Sequence, residues 1–171
     1  AGLVRILAGG RPLNLYLVQL HAGAGEDGSS GLNSSNDSSG SDDPSNSGNG
    51  SQLRAGQVHD LLAWIHATAD GLPCVVAGVF NAPGGSPELA PLAQDFEDAW
   101  AELHAPLGGD AATSAASARV FLSRHGTAVG GLLAVDAVPL AITGEGDGDG
   151  ISGGLQVRLR WRDGDTAPPA G

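Results

Sequence analysis

Apolar and polar positions at the start of the chain form two short runs of the strand type. Residues 3–8 read LVRILA and residues 13–21 read LNLYLVQLH, with the turn-forming residues GGRP between them. This pattern predicts a β-hairpin. The next stretch, residues 23–51, contains one leucine, five carboxylates and no basic residue. Because so few apolar side chains cannot offset the entropy lost on ordering, we predict a disordered acidic insertion there.

A helical pattern starts after the acidic stretch. Apolar side chains recur close to one helical face, which predicts a helix over residues 52–69 that ends before Gly71. The apolar positions on this face are Leu53, Val58, Leu61, Leu62 and Ile65. The run PCVVAGVF, residues 73–80, follows, and a continuous apolar run of this length is typical of a strand buried on both faces of an α/β sheet.

The second half of the chain predicts a short helix and three further strands. Ser86 stands at the N-cap position and Pro87 at the first helical position of the segment GSPELAPLAQ. The runs ARVFLSR, LLAVDAVPLAI and LQVRLRW are typical of strands. Taken together, the order of strands and helices predicts an α/β layered domain with a mixed sheet.

Composition narrows the classes of partner. The chain has 171 residues, and its 8 basic and 19 acidic residues give a formal net charge of −11. A field of that sign repels phosphate backbones and anionic lipids, so we expect no nucleic acid partner and disfavour a membrane. The single cysteine, Cys74, lies in an apolar run and predicts a buried thiol. We see no transmembrane segment or signal peptide, so we expect a soluble chain and leave its location open.

Several segments, taken in order, resemble the second half of the endonuclease/exonuclease/phosphatase family of metal-dependent phosphodiesterases, nearest to its neutral sphingomyelinases. LYLVQLHA at 15–22 resembles the sphingomyelinase strand LYNTHLHA, and VVAGVFNAPGGSPEL at 75–89 is similar to the family's VVAGDFNA strand and turn. FEDAW at 96–100 suits the DAW that often follows. RVFLS at 119–123 and ISGGLQVRL at 151–159 stand where the family carries RIDYI and SDHLPV. The resemblance implies part of a four-layer α/β sandwich with a mixed sheet and outer helices.

The departures from the family's motifs fall on its chemical residues. In the family, histidines and aspartates of these motifs gather around a divalent cation and one phosphate. Valine and glycine can neither accept a proton nor bind a metal, and glutamine does not titrate near neutral pH. The resemblance thus implies a dismantled catalytic site, with Phe121 also replacing the Asp of RID. The remnant catalytic positions are Gln19, Val79, Gly153 and Gly154, and the phosphate-contacting positions that remain in kind are Asn81 and Arg119.

The resemblance also implies an incomplete sandwich. Nothing in the chain matches the family's first half, so one sheet face would be uncovered and would need a protein partner or a second copy. Residues 1–22 would hold the first strands of the half domain, 52–162 its remainder and 163–171 a tail. Our leading hypothesis is a catalytically degenerate domain with a structural or interaction role and no cofactor. One alternative is a Mg²⁺-dependent phosphodiesterase completed by a missing N-terminal half or partner chain; another is an interaction domain outside the family.

Histidines and charged loops add no further site. His59 and His66 share a helical face, but no third ligand stands in register with them, so we predict no zinc site. The carboxylates of residues 144–154 are spaced loosely like those of a calcium loop. The segment lacks the twelfth-position glutamate of an EF-hand and its flanks are strands, so we predict a solvated loop. One local basic patch stands against the acidic net charge, and its members are Arg158, Arg160 and Arg162.

Overall fold

A computed structural model describes residues 1–22, 47–104, 118–124, 130–141 and 153–162. Most of the predicted insertion, the carboxylate-rich loop up to residue 152 and the tail lie outside these residues. The described elements, in chain order, are β1 Gly2–Ala8, β2 Arg11–Gln19, α1 Ser47–Thr68, β3 Cys74–Val79, a 3-10 turn Pro87–Leu89, α2 Leu92–Asp95, β4 Phe96–Asp98, α3 Ala99–His104, β5 Ala118–Ser123, β6 Leu132–Ala141 and β7 Gly153–Trp161.

Five of these strands form one mixed sheet, in the order β1-β2-β3-β5-β4. β2 and β3 run parallel, because α1 carries the chain back between them, and the other neighbours are antiparallel. β6 and β7 form a separate antiparallel pair. The predicted α/β class with a mixed sheet is therefore confirmed.

The N-terminal hairpin turns at two glycines. Ala8 and Arg11 are paired in register, which leaves Gly9 and Gly10 as the connecting residues, at φ +58° and +80°. Positive φ at both central positions is the requirement of the tight hairpin turns that match strand twist, and glycine meets it without strain. The predicted hairpin is confirmed, and the indole N–H of Trp161 donates to the Ala8 carbonyl at 2.9 Å, which ties the small sheet to this turn.

Helix α1 covers one face of the five-stranded sheet. Val58, Leu61 and Ile65 are buried against a core that includes Tyr16 and Val76. The helix begins at Ser47, five residues before the predicted start, so the predicted insertion extends too far at its C-terminal end. Leu53, which the sequence places close to the same helical face, is 49% exposed and lies outside the core.

The Arg54–Glu88 ion pair connects α1 to the 3-10 turn, with 3.1 Å between Nη2 and Oε1. Both side chains are largely buried. Burial alone would raise the pKa of Glu88, but hydrogen bonds to its carboxylate and the Arg54 charge together lower that pKa. The carboxylate therefore stays ionised where it joins the helix to the sheet.

Strand β3 is buried on both faces, as its continuous apolar run predicts. Cys74 and Val76 pack in the core below α1, whereas Val75 packs in a second core with the small sheet. Burial raises the pKa of the Cys74 thiol, whose Sγ also donates to the Leu72 carbonyl. The thiol is thus an inert core group, as predicted.

The segment after β3 contains more structure than the sequence predicts. The single predicted short helix is a 3-10 turn followed by the one-turn helix α2, with Ser86 at the N-cap and Pro87 at the first position. The Ser86 side chain makes no capping hydrogen bond. Strand β4 and helix α3 were not predicted, because three and six residues are too short to show a period.

Gly78 marks the closest approach of β2 and β3. A Cβ at this position would lie 1.8 Å from the carbonyl oxygen of Val18, and the φ of +153° also favours glycine. We expect Gly78→Ala to reduce the free energy of unfolding by about 3 kcal/mol or more, since the strands would have to separate. Urea unfolding followed by circular dichroism measures this change.

Gly56→Ala is the matched control for that substitution. Gly56 lies in α1 with nothing within 4 Å of the added Cβ, so alanine should stabilise the helix by about 0.5 to 1 kcal/mol. Equal effects of the two substitutions would contradict the tight contact between β2 and β3.

Candidate functional site

Two of the predicted remnant positions meet at the ends of adjacent strands. Gln19 is the last residue of β2 and Val79 the last residue of β3, and the two are paired in register. Their side chains share the sheet face of Leu17 and Ala77, two residues earlier on each strand. The structure therefore brings these two positions together, as the predicted site requires.

This pair offers no acid–base chemistry. An amide and an isopropyl group neither accept a proton near neutral pH nor bind Mg²⁺, which prefers carboxylate and water oxygens. Within the described ranges, no group of three His, Cys, Asp or Glu side chains is placed to hold a metal ion. The residues at this strand end do not fit the divalent cation that the family resemblance implies.

Asn81 lies just beyond the strand end and has a structural contact. Its φ is +48°, a conformation that asparagine tolerates better than most side chains. Its Nδ2 donates to the Leu20 carbonyl at 2.9 Å, while the Leu20 amide donates to the Val79 carbonyl at 2.8 Å. These bonds hold the turn after β3 against the chain that leaves β2.

Arg119 belongs to the other face of the sheet. Arg119 is paired in register with Gly78. Phe121, two residues later on the same face of β5, packs edge-on against the buried ring of Phe80, with 5.0 Å between the ring centroids. The guanidinium is 3% exposed and its Nη1 donates to Oδ2 of Asp98 at 2.8 Å. The structure does not bring Arg119 or Phe121 together with Gln19 and Val79.

Gly153 and Gly154 start the strand β7 of the small sheet. They pair with Ala141 and Leu140, while the other end of β7, Trp161, lies at the hairpin turn. β2 starts beside that same turn and ends at Gln19. Both glycines thus stand at the end of β7 away from the turn, but their described partners are in β6.

The histidines have local contacts. His66 Nε2 lies 3.0 Å from Oδ2 of Asp95 on the protein surface, and His104 stacks on the ring of Trp100 at 3.8 Å. His59 is exposed beside Asp60. His125 lies outside the described residues. His59, His66 and His104 therefore have surface or packing environments apart from the Gln19–Val79 strand end. His21 follows that strand end by two residues, and its backbone amide donates to Oε1 of Gln57 at 2.8 Å.

An uncovered apolar strip extends from this strand end across β2 and β1. Val4, Ile6 and Leu17 share the face of Gln19 and are 45%, 38% and 48% exposed. The small sheet packs on the same face, but over Leu13, Val75 and Leu122. An apolar cavity of about 260 Å³ lies where the two sheets diverge. We call Val4, Ile6 and Leu17 the apolar strip.

The arginines of β7 point away from the core. Arg158 and Arg160 alternate with inward side chains that include Leu159, so they share the outer face of the small sheet, and Arg162 follows the strand end in the same alternation. Arg158 lies 3.5 Å from Asp136 of β6. The predicted basic patch is thus a surface row that is partly neutralised.

Sequence analysis missed the Asp98–Arg119 ion pair. Asp98 Oδ1 accepts from the amides of Trp100 and Ala101 and so caps α3, while Oδ2 binds Arg119. The two residues are 21 positions apart, and an isolated aspartate in FEDAW gives no sign of its partner. The only available signal was an aspartate directly before a short helix.

No helix among the described residues is long and apolar enough to span a bilayer. Comparison with protein-family models and with curated proteins finds no match to this chain. The features of this chain that bear on its function are therefore the strand end, the apolar strip and the buried ion pair.

Asp98→Asn tests the buried ion pair. The amide keeps an oxygen for the helix cap but removes the charge that balances Arg119, which is 3% exposed. We expect a loss of about 3 to 5 kcal/mol in the free energy of unfolding, since an uncompensated buried charge is left behind. Denaturant unfolding at neutral pH measures it.

Asp136→Asn provides the control. This aspartate pairs with Arg158 at the surface, where the side chains are 46% and 75% exposed. Exposed pairs contribute about 1 kcal/mol or less, so the substitution should change stability little. A similar small loss for Asp98→Asn would show that Arg119 does not depend on its carboxylate.

Proposed function

We propose that this chain is a catalytically degenerate, phosphodiesterase-like domain that acts through protein contacts. The observation that carries the proposal is the strand end where Gln19 and Val79 meet beside the apolar strip. A strand end of this kind can bear catalytic carboxylates, yet this one presents an amide and an aliphatic group. The adjoining surface is built for apolar contact rather than for phosphate.

The described layers support the proposed architecture. Helix α1 covers one face of the five-stranded sheet, and the two-stranded sheet covers part of the other face. This is the arrangement expected for part of a four-layer α/β sandwich in which the second sheet is short of strands. A fuller second sheet would extend over the apolar strip.

Exposed apolar side chains on a sheet face favour a protein partner. Isolated surface leucines and valines are ordinary, but here three neighbouring apolar side chains share one sheet face, and one of them, Ile6, also lines the apolar cavity between the sheets. A second copy of the chain or a different protein would bury them. The acidic net charge gives no support to a nucleic acid partner.

The second candidate function is a Mg²⁺-dependent phosphodiesterase whose catalytic groups come from another chain or from a longer form of this one. The observation in its favour is that the apolar strip reaches the Gln19–Val79 strand end, so a partner seated on the strip would bring its own residues there. In that case Mg²⁺ would bind to the partner's carboxylates, because this chain's residues do not fit it.

Hydrolysis of bis(p-nitrophenyl) phosphate, with Mg²⁺ or with EDTA, separates these two functions. We expect no metal-dependent turnover by the isolated chain, since loss of a general base alone costs about two to four orders of magnitude in rate. A variant with Gln19→His, Val79→Asp, Gly153→Asp and Gly154→His tests the scaffold. Its turnover above the parent chain would support the family architecture.

Metal-dependent turnover by the unmodified chain would overturn the non-catalytic proposal. A mock preparation from cells lacking the chain controls for contaminating phosphodiesterases. Thermal unfolding of the four-residue variant is measured alongside, so that silence of a folded variant counts against the proposed scaffold and is not mistaken for misfolding.

Leu17→Asp tests the apolar strip as a contact surface. We expect the parent chain to self-associate as its concentration rises, as measured by sedimentation velocity. A carboxylate in the strip should weaken that association by about tenfold or more, because it would have to be desolvated in the contact.

Leu53→Asp is the matched control, since Leu53 is a leucine of nearly equal exposure, 49% against 48%, on α1. It should leave the association unchanged. If the parent chain remains monomeric and Leu17→Asp alters neither solubility nor stability, exposure of the apolar strip to water is harmless. That result would contradict its role as a protein contact surface.

A further inference from the structure

A cleft of about 500 Å³ opens along β4, which is the edge strand at the opposite side of the five-stranded sheet from β1. Pockets that hold small molecules have volumes of roughly 300 to 1,000 Å³. The walls are largely apolar and include Leu89, Phe96, Trp100 and Phe121. The cleft therefore has the size and the lining of a small-molecule site. Of the residues discussed for phosphodiesterase chemistry, Arg119 and Phe121 line it.

Arg119 lines this cleft, and one nitrogen of its guanidinium has no hydrogen-bond partner among the described residues. Its Nη1 donates to Asp98, and its Nε contacts the Ala82 carbonyl at 3.4 Å. Its Nη2 is buried and has no acceptor among the described residues. A buried donor without a partner costs free energy, and the cost is higher for a charged group. An acceptor for Nη2 would therefore stabilise the guanidinium, and the described residues supply none.

Asp98 and Glu97, the two carboxylates of β4, have other hydrogen-bond partners. Both oxygens of Asp98 are used, one by the amides at the start of α3 and one by Nη1 of Arg119. Glu97 accepts from Nη1 of Arg124 at 3.3 Å. Because no described residue accepts from Nη2, a water molecule or a ligand can supply its acceptor.

Gly84 lies directly against this guanidinium. A Cβ at Gly84 would lie 2.9 Å from Nη1 and 3.1 Å from Nη2 of Arg119, so a side chain there would cover the guanidinium. Gly84 also lines the cleft, and its backbone conformation is not one reserved for glycine. Glycine at this position thus leaves no side chain over the guanidinium.

The charges of the cleft decide between anionic and neutral ligands. Its lining contains Arg119 and Arg124 against the three carboxylates Glu97, Asp98 and Glu102. Burial, and then the neighbouring Glu97, raise the pKa of Glu102. Carboxylates outnumber guanidinium groups in this lining, so an anionic ligand would be repelled. An uncharged acceptor avoids this repulsion.

We propose that this cleft binds a small, uncharged and mostly apolar molecule whose carbonyl oxygen accepts a hydrogen bond from Nη2 of Arg119. The apolar walls bury the body of the ligand, and the glycine at position 84 places no side chain over the guanidinium. The site does not depend on phosphodiesterase ancestry, since it lies on the α1 side and the β4 edge rather than at the Gln19–Val79 strand end.

Prodan, an uncharged aromatic ketone with environment-sensitive fluorescence, is the probe for the full chain. We expect saturable binding that shifts the indole N–H resonance of Trp100 and leaves those of Trp64 and Trp161 in place. Gly84→Ala should weaken binding by about tenfold or more, because it removes a hydrogen bond to a charged donor. Ala93→Phe, which fills the cleft from an exposed position, should abolish binding.

Two controls match these variants. Gly56→Ala adds the same methyl group within α1, and Ala63→Phe adds the same ring on the exposed side of that helix, so both should bind prodan as the parent does. Thermal unfolding confirms that each variant is folded. The proposal is overturned if prodan does not bind, if Gly84→Ala and Ala93→Phe bind like their controls, or if the anionic dye anilinonaphthalene sulfonate binds the cleft more tightly than prodan.

Discussion

The parallel pairing of β2 with β3 is the constraint on which the rest of the structure depends. Gly78 allows these strands to approach so closely that no side chain fits between its Cα and the Val18 carbonyl. The register that follows places Tyr16 and Val76 below α1 and places Leu15 and Val75 toward the small sheet. Two cores thus share one pair of strands. The same register sets Gln19 opposite Val79 and so defines the strand end.

The long apolar runs could be predicted from the sequence because each strand and α1 carries its own period. The hairpin, α1 and β3 follow from the local spacing of apolar residues. The consecutive glycines Gly9 and Gly10 predict the hairpin turn by themselves. What could not be predicted has a different physical origin. β4 is three residues long and exists because β5 pairs with it, and α3 follows because Asp98 caps it. Neither cause is visible in a local window of sequence.

Side-chain direction was the other gap in the sequence prediction of the site. Residue order places Arg119 near Asn81 and Val79, but the antiparallel register of β3 and β5 turns Arg119 to the opposite face from Val79. A one-residue change of register would have reversed this, and nothing in RVFLS specifies it in advance. The buried ion pair with Asp98 explains the direction, because the guanidinium finds its carboxylate only on that side.

The two proposed binding surfaces are consequently independent. The apolar strip lies at the β1 edge and on the face shared with the small sheet, whereas the cleft lies at the β4 edge around Arg119. Three strands separate the edges, so a partner that covers the strip leaves the cleft open. β5 is the one strand with a side chain in each environment, Leu122 against the small sheet and Arg119 in the cleft. Helix α3 also contacts both environments, with Ala99 and Leu103 in the core with the small sheet and Trp100 in the cleft, so the packing of β5 and of α3 connects the two.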